Sequence, residues 1–199
     1  MIEAGAIVLG GGLSRRYGRD KLTAPWSDTT LFERVRAALP ARRTETLLVL
    51  RHEQDPVEGV DRVVRDDPRL PDGPLRGLVA GLRAARSGWN WVLACDLPQV
   101  RTAMLELLAE SADDGVDAVV FRHGEHAEPL VALYHRRCLP EFEAALANGD
   151  PSPRRALARV RVRWIADDLW RAVDPDGDTF LNVNTPDLAR RAAGTEEPR

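Results

Sequence analysis

A glycine-rich turn that follows a short apolar strand constrains the fold of this chain more than any other feature. The run Ala6–Leu9 carries no charge, and three glycines come directly after it, Gly10, Gly11 and Gly12. A short apolar run of this kind predicts a buried strand at the centre of a parallel sheet. Glycines at its end allow backbone N–H groups to approach a ligand closely. The stretch therefore predicts a strand that opens into a ligand-binding turn.

Cations follow the glycines closely in the sequence. They are Arg15, Arg16, Arg19 and Lys21. Backbone donors followed by cations suit a polyphosphate ligand. The chain has 28 lysine and arginine residues, and Lys21 is the one lysine among them. An ammonium is a compact point charge and a guanidinium is a planar fork, so this lysine indicates a position where a compact charge fits.

Two common phosphate-binding loops do not match this stretch. The dinucleotide fingerprint needs a third glycine where Arg15 stands, and an acidic residue after the second strand, where Arg51 stands. The P-loop needs a Gly-Lys-Ser/Thr tripeptide, which the sequence does not contain. A nicotinamide oxidoreductase and a P-loop enzyme are therefore both disfavoured.

Length and composition predict one α/β domain. The chain has 199 residues, 44% of them hydrophobic, which is enough for a proper core. Its net charge of −3 does not favour a nucleic-acid partner. Cys95 and Cys138 lack a metal-binding spacing and are interpreted as reduced thiols. The sequence shows no signal peptide and no apolar run of membrane-spanning length. We expect a cytoplasmic protein without a membrane or nucleic-acid partner.

Predicted strands and helices alternate along the first part of the chain. After the first strand, the predicted strands are Thr46–Leu50, Asp61–Val64, Trp91–Cys95 and Ala118–Phe121. A capping box at Thr30 and a cap at Thr102 predict helix starts, and a proline- and glycine-rich loop precedes a further helix. Beyond Arg122 we predict an antiparallel strand Leu130–Tyr134, helices around Pro140–Ala147 and after Ser152, and a strand Val160–Ile165. The expected fold is a three-layer, mostly parallel twisted sheet with helices on both faces and an antiparallel extension.

Two aspartates follow predicted strands at the edge where open α/β sheets bind ligands. Asp96 stands at the tip of an apolar strand, so it is expected at the crevice. Mg²⁺ is typically held by one or two carboxylates together with substrate phosphates, and Asp96 is the candidate ligand. Asp66 follows the third strand and is a second candidate for binding the ligand. The alternatives are that Asp67 has this role, or that the aspartates only form the turn before Pro68. The sequence thus predicts an acidic group beside the glycine-rich turn.

The glycine-rich stretch resembles the signature of nucleotidyltransferases of the molybdenum cofactor guanylyltransferase type. That signature runs Leu-Ala-Gly-Gly, a spacer, Arg-Met-Gly and Asp-Lys. The matching segments are Leu9-Gly10-Gly11-Gly12, Arg16-Tyr17-Gly18 and Asp20-Lys21, with glycine for alanine at 10 and tyrosine for methionine at 17. Three further motifs match in the family's order: Gly73-Pro74-Leu75-Arg76-Gly77, with arginine for alanine, then Asp96-Leu97-Pro98, then Asn182-Val183-Asn184-Thr185-Pro186. The resemblance covers most of the chain.

The resemblance implies roles for the matching residues. The implied catalytic residues are Arg16, Lys21 and Asp96, and the implied metal ligand is Asp96. The implied nucleotide-binding residues are Leu9, Gly10, Gly11, Gly12, Lys21, Asp66, Gly73, Gly77 and Asp96. Asn182 and Asn184 are the implied acceptor-binding residues. The alternative is that they only form the turn and the helix cap before Pro186. Arg155, like Arg154, is a candidate phosphate contact for the acceptor, with a solvated arginine face as the alternative.

By the same resemblance, the expected activity is Mg²⁺-dependent transfer of GMP from GTP to the molybdenum-carrying molybdopterin cofactor. The expected fold is a Rossmann-like nucleotidyltransferase domain over residues 1–194, with a nucleotide-binding half, 1–121, an acceptor-side half, 122–194, and a disordered tail, 195–199. The alternatives are a cytidylyltransferase on the same cofactor, a transferase for another small phosphorylated acceptor, and a non-catalytic nucleotide-binding regulatory module. Gly11 and Gly77 fit the guanylyl pattern, whereas cytidylyl relatives tend to carry alanine at the position of Gly11. Transient contacts with other cofactor-biosynthesis proteins or recipient enzymes are also expected.

Overall fold

A seven-stranded sheet forms the centre of the protein, in a computed structural model that describes residues 2–11 and 21–183. A separate two-stranded hairpin lies beside it. The strands in chain order are β1 (Ala4–Leu9), β2 (Pro25–Trp26), β3 (Thr29–Thr30), β4 (Thr46–Leu50), β5 (Arg62–Arg65), β6 (Trp89–Ala94), β7 (Ala118–His123), β8 (His126–His135) and β9 (Val162–Ile165).

The strand order across the large sheet is β5-β4-β1-β6-β8-β7-β9, and β2 pairs with β3 in the hairpin. In the described sheet β8 runs antiparallel to both of its neighbours, β6 and β7, while the other pairings are parallel. This confirms the predicted mostly parallel sheet with an antiparallel extension. The chain winds outward from β1 to β5 on one side and restarts at β6 on the other. The boundary between β1 and β6 is therefore a topological switch point, where open α/β sheets bind ligands.

Helices cover both faces of this sheet. They are α1 (Leu31–Ala38), α2 (Pro74–Ala84), α3 (Thr102–Glu110), α4 (Leu139–Ala147), α5 (Pro153–Ala156) and α6 (Asp167–Trp170), with short 3₁₀ turns at Arg136–Cys138, Leu157–Arg159 and Asp178–Phe180. As predicted, Thr30 and Glu33 form a reciprocal capping box at the start of α1. The predicted Thr102 cap is wrong: Arg101 occupies that position without a side-chain hydrogen bond, and Thr102 is the first helical residue.

Two apolar layers pack between the sheet and its helices. Val8, Leu48 and Leu93 pack on the face covered by α1 and α3. Ile7 and Leu47 pack, with further apolar residues, on the face covered by α2 and α4. Adjacent residues of one strand belong to different layers because successive side chains point to opposite faces. The predicted three-layer arrangement is confirmed.

Three backbone contacts bring distant segments to the carboxyl ends of β1 and β6. Gly10 N donates to Val49 O at 2.8 Å, and Cys95 N donates to Leu9 O at 3.1 Å. Val183 N donates to Asp96 O at 2.8 Å, which ties the end of the described chain to the same edge. The glycine turn, the residue after β6 and the Asn182 segment therefore meet at one place.

Several element bounds differ from the predictions. The strand predicted over Trp91–Cys95 is β6, and it begins and ends earlier. The strand predicted over Leu130–Tyr134 is β8, which begins at His126 and pairs with β7 across a register shift between Val120 and Phe121. The predictions for residues 12–20, for Asn184-Thr185-Pro186 and for the tail, 195–199, lie outside the described residues. Within residues 2–11 and 21–183, no helix is long and apolar enough to cross a bilayer.

Candidate active site

A cavity of about 430 Å³ opens at the switch point between β1 and β6. Its volume falls in the range of roughly 300–1,000 Å³ that is typical of small-ligand sites. The residues that line it are Leu9, Gly11, Lys21, Val49, Leu50, Arg51, Asp66, Asp72, Gly73, Pro74, Arg76, Gly77, Ala94, Cys95, Asp96, Leu130 and Asn182. Most of the predicted nucleotide-binding residues in the described chain therefore share one cavity.

Lys21 and Asp96 form a buried ion pair in this cavity. Lys21 Nζ donates to Asp96 Oδ2 at 2.8 Å, and the side chains are 8% and 15% exposed. Asp96 follows the end of β6 closely, and Lys21 is the first described residue of the segment that leads to β2. A low-exposure site strengthens electrostatic interactions because little water screens them. The pair places one cation and one carboxylate side by side in the wall of the cavity.

The second carboxylate oxygen of Asp96 has no hydrogen-bond partner among the described residues. Asp96 Oδ1 is buried and accepts no hydrogen bond from the described residues. A buried polar atom without a partner is costly, so such an atom calls for a ligand. Carboxylate oxygens together with substrate phosphates are the usual ligands of Mg²⁺ in nucleotide sites. Asp96 therefore fits the predicted role of holding Mg²⁺.

Asp66 lines the cavity, whereas its neighbour Asp67 does not. Asp67 instead accepts hydrogen bonds from the side chain and backbone of Arg69 at 2.8–3.0 Å. These bonds lower the pKa of Asp67 to about 2. Asp67 thus closes the turn after β5, and Asp66 is the member of the pair that can reach a ligand.

The side chain of Arg76 pairs with Asp66 inside the cavity wall. Arg76 Nε donates to Asp66 Oδ2 at 2.7 Å, and the side chains are 7% and 8% exposed. In the sequence, Arg76 stands out only as a departure from the family motif. The sequence does not predict this pairing, because the two residues are ten positions apart with an irregular loop between them.

Arg51, Asp72 and Leu130 also line the cavity, and the sequence did not predict a role for them. Arg51 Nε donates to Gly11 O at 2.6 Å, and Arg51 Nη2 donates to Asp72 Oδ1 at 2.6 Å. Arg51 therefore connects the glycine turn to the loop before α2. The position of Arg51 at the carboxyl end of β4 was the signal that could have identified it.

Two glycines are explained by close approaches of the backbone. A Cβ at Gly73 would lie 2.6 Å from Pro151 Cβ and 2.9 Å from Pro151 O, so a side chain there would displace the start of α2. A Cβ at Gly11 would lie 3.3 Å from Arg51 Cγ, which is tight. At Gly77 the corresponding distance to Leu9 Cδ2 is an ordinary 3.5 Å. Gly73 is therefore required by packing, and Gly77 is not.

The remaining predicted site residues do not all line the cavity. Gly10 is buried behind the cavity, where Leu50 and Leu22 leave no space for a Cβ. Arg155 forms a two-point ion pair with Asp150 at 2.6 and 2.8 Å and does not line the cavity. Asn182 lines the cavity. Gly12, Arg16 and Asn184 lie outside the described residues.

The strand β8 forms the border of the cavity on the side away from Asp66. Leu130 lines it, and Glu128 lies two residues before. Burial raises the pKa of Glu128, and the nearby Arg154 opposes that effect. Arg154 Nη2 donates to Ala127 O at 3.2 Å. Glu128 and Arg154 do not line the cavity themselves, so Leu130 is the residue of β8 that borders it.

The doubly wound sheet, with its cavity at the switch point, defines an open α/β protein of the class that binds ligands at the carboxyl ends of its strands. Comparison with known proteins gives the family. The family model of the MobA-like NTP transferase domain matches residues 6–169. The chain belongs to this family of nucleotidyltransferases.

Individual relatives agree with this assignment. The chain is 33% identical over 187 residues to a protein of Desulfosudis oleivorans named molybdenum cofactor guanylyltransferase, covering 94% of this chain and 92% of the relative. It is 32% identical over 191 residues to a probable molybdenum cofactor guanylyltransferase of Bacillus cereus, covering 93% of each. The crystal structure of molybdopterin-guanine dinucleotide biosynthesis protein A from Archaeoglobus fulgidus superposes with a TM-score of 0.79 at 29% identity, covering 96% of this chain and 97% of that one. The family resemblance and the predicted fold are both confirmed.

Proposed function

We propose that this protein transfers the GMP unit of GTP to a molybdopterin cofactor that carries molybdenum, and releases pyrophosphate. The observation that carries the proposal is the buried pair of Lys21 and Asp96 in the cavity at the switch point. A cation and a potential metal ligand side by side in this cavity support the binding of a triphosphate. The names of the relatives at 32% and 33% identity support the two substrates.

The chemistry needs positioning more than it needs a strong base. The phosphate of the acceptor is already anionic at neutral pH. One of its oxygens attacks the α-phosphorus of GTP, and the bond from that phosphorus to the bridging oxygen of the β-phosphate breaks, so that pyrophosphate leaves. The protein has to hold the two anionic groups in line and stabilise the charge on the departing pyrophosphate.

Different residues of this chain bind the triphosphate, the metal and the acceptor. Lys21 neutralises charge on the triphosphate and on the departing pyrophosphate, and Arg16 has the same role by resemblance. Asp96 orients Lys21 through Oδ2 and offers Oδ1 to Mg²⁺. Asp96 would hold Mg²⁺, whose positive charge would offset the charge of the phosphates. Asn182 and Asn184 bind the acceptor without adding charge to the site.

The proposal is tested by pyrophosphate release with GTP, CTP, ATP and UTP, each with and without the molybdenum-carrying molybdopterin. We expect the highest kcat/KM with GTP, and release that requires the acceptor. Equal or faster release with CTP would instead identify a cytidylyltransferase. Binding of nucleotide without any release would identify a non-catalytic module.

A further inference from the structure

Arg76, in the first turn of α2, carries a buried guanidinium whose described acceptors all belong to the loop between β5 and α2. Arg76 Nε donates to Asp66 Oδ2 at 2.7 Å, and Arg76 Nη1 donates to Leu70 O at 3.3 Å. Arg76 Nη2 lies 3.2 Å from Asp72 Oδ1. An arginine presents its donors in a rigid fork, so three contacts of this kind fix the acceptors relative to one another. Arg76 thereby holds together an irregular segment that forms one wall of the cavity.

Each oxygen of Asp66 has a different surrounding. Oδ2 accepts the hydrogen bond from Arg76, whereas Oδ1 is buried and accepts none from the described residues. Because Arg76 fixes Oδ2, it also fixes where Oδ1 points. A buried carboxylate oxygen without a partner in the wall of a cavity is an acceptor for a ligand that donates hydrogen bonds.

The same network reaches the glycine turn on the opposite side of β4. Asp72 Oδ1 accepts from Arg51 Nη2 at 2.6 Å as well as lying 3.2 Å from Arg76 Nη2. Arg51 Nε donates to Gly11 O at 2.6 Å. A continuous series of charged contacts therefore runs from Asp66 to the backbone of the turn after β1. A change at Arg76 would be transmitted to both walls of the cavity.

We propose that Arg76 is a positioning residue for the nucleotide. Arg76 orients Asp66, and Asp66 accepts hydrogen bonds from donors of the nucleoside. Together with Asp72, Arg76 also connects the loop between β5 and α2 to the glycine turn. The inference rests on the proposed function only in that a nucleoside triphosphate occupies this cavity. Arg76 sets nucleotide affinity and takes no part in the transfer step. Since the Asp66 contact is made equally before and during the reaction, its loss raises KM and leaves kcat nearly unchanged.

The central variant is Arg76→Met, which removes the charge and keeps an unbranched stem of similar length. Loss of a hydrogen bond to a charged group corresponds to about a ten- to hundredfold change in an equilibrium constant. We expect Kd for GTP, measured by titration calorimetry without acceptor, to rise by about that factor, and kcat for pyrophosphate release to stay within about threefold of wild type. Arg76→Lys keeps the charge but not the fork, and its Kd should fall between those of wild type and Arg76→Met.

Arg83→Met is the matched control, because Arg83 lies on the same helix and pairs with Glu143 at the surface. That pair has a distance of 2.7 Å, with side chains 61% and 42% exposed. We expect its Kd for GTP to equal that of wild type. If Arg76→Met binds GTP as tightly as this control does, the positioning role is overturned.

A double-mutant cycle separates action through Asp66 from a direct contact of Arg76 with the nucleotide. If Arg76 acts through Asp66, Arg76→Met should weaken binding by a smaller factor in an Asp66→Asn background than in the wild type, because coupled residues are not additive. Fully additive losses would overturn the proposal. Should Arg76→Met fail to fold, Asp72→Asn breaks the outer contacts at a half-exposed side chain. We expect it to raise Kd about three- to tenfold, and an unchanged Kd would again contradict the proposal.

Failure of the proposed function would look different. All four nucleoside triphosphates are titrated into the wild type first, and the variants are then judged with whichever binds best. Tight binding of a nucleotide other than GTP would overturn the base preference and leave the Arg76 test intact. Absence of binding by every nucleotide would overturn both proposals together.

Discussion

Replacing Lys21 tests the buried ion pair that the site depends on. Lys21 Nζ lies 2.8 Å from Asp96 Oδ2, and the side chains are 8% and 15% exposed. Removing one partner of a buried pair costs about 3–5 kcal/mol, because the other charge stays buried without compensation. Because Asp96 is still partly exposed to water, we expect a cost at the lower end of this range. We expect Lys21→Met to lower the free energy of unfolding by about 3 kcal/mol.

Lys21→Arg keeps the charge and changes its shape. A guanidinium is wider and planar, and a side chain that is 8% exposed has little free space around it. A displacement of reacting groups by about 1 Å can cost roughly a hundredfold in rate. We expect Lys21→Arg to lower kcat/KM for GTP by at least about tenfold. Lys21→Met should lower it by about 30-fold or more, the equivalent of about 2 kcal/mol.

Two measurements check these values: urea unfolding followed by circular dichroism, and pyrophosphate release. Arg83→Met serves as the control, since an exposed ion pair contributes less than about 1 kcal/mol. The double variant Lys21→Met with Asp96→Asn should recover part of the lost stability, because neither charge is left alone. The reasoning is refuted if Lys21→Arg matches wild type in kcat/KM, or if Lys21→Met is as stable as the control.

Three further predictions concern the metal ligand, the acceptor-binding asparagines and a carboxylate outside the cavity. Asp96→Asn should keep the circular dichroism spectrum and abolish Mg²⁺-dependent pyrophosphate release, because an amide is a poor ligand for a hard cation; a near-normal rate would exclude the metal role. Changing Asn182 and Asn184 to Ala should raise KM for the acceptor and leave Kd for GTP nearly intact, and a comparable loss of GTP affinity would assign them to the nucleotide or to the turn. Hydrogen bonds from Arg161 hold the pKa of Asp117 well below its usual value, so this carboxylate stabilises the fold above about pH 4 and loses that effect as the pH falls further. Asp117→Asn should cost about 2 kcal/mol at pH 7 and less at pH 3 in urea unfolding, whereas an equal cost at both would contradict it.

The sequence predicted the parts of the site that depend on strand ends. Apolar strands can be recognised locally, and the rule that ligands bind at their carboxyl ends then locates Gly11, Asp66 and Asp96 together. Lys21 was predicted from its place in the motif and as the one lysine of the chain. These residues share the cavity at the switch point.

The side-chain partners could not be predicted in the same way. Arg76 reaches Asp66 across an irregular loop, and Arg155 folds back on Asp150. An arginine has several rotatable bonds and many carboxylates within reach, so sequence spacing alone does not choose among them. Thr102 shows the same limit within a single helix start. Threonine is a favourable capping residue, but the helix begins one residue earlier than predicted, so Thr102 is its first helical residue. Tertiary packing decides such outcomes.

The fate of the α-phosphate is the most direct test of the proposed transfer. The wild-type protein is incubated with Mg²⁺, the molybdenum-carrying molybdopterin and GTP labelled at either the α- or the γ-phosphate, and the products are separated. We expect the α-label to appear in an acceptor–GMP product and the γ-label to appear in pyrophosphate, in equal amounts and only when the acceptor is present. An α-label that remains in GTP, or that is released as free GMP whether or not the acceptor is present, would contradict the proposed function.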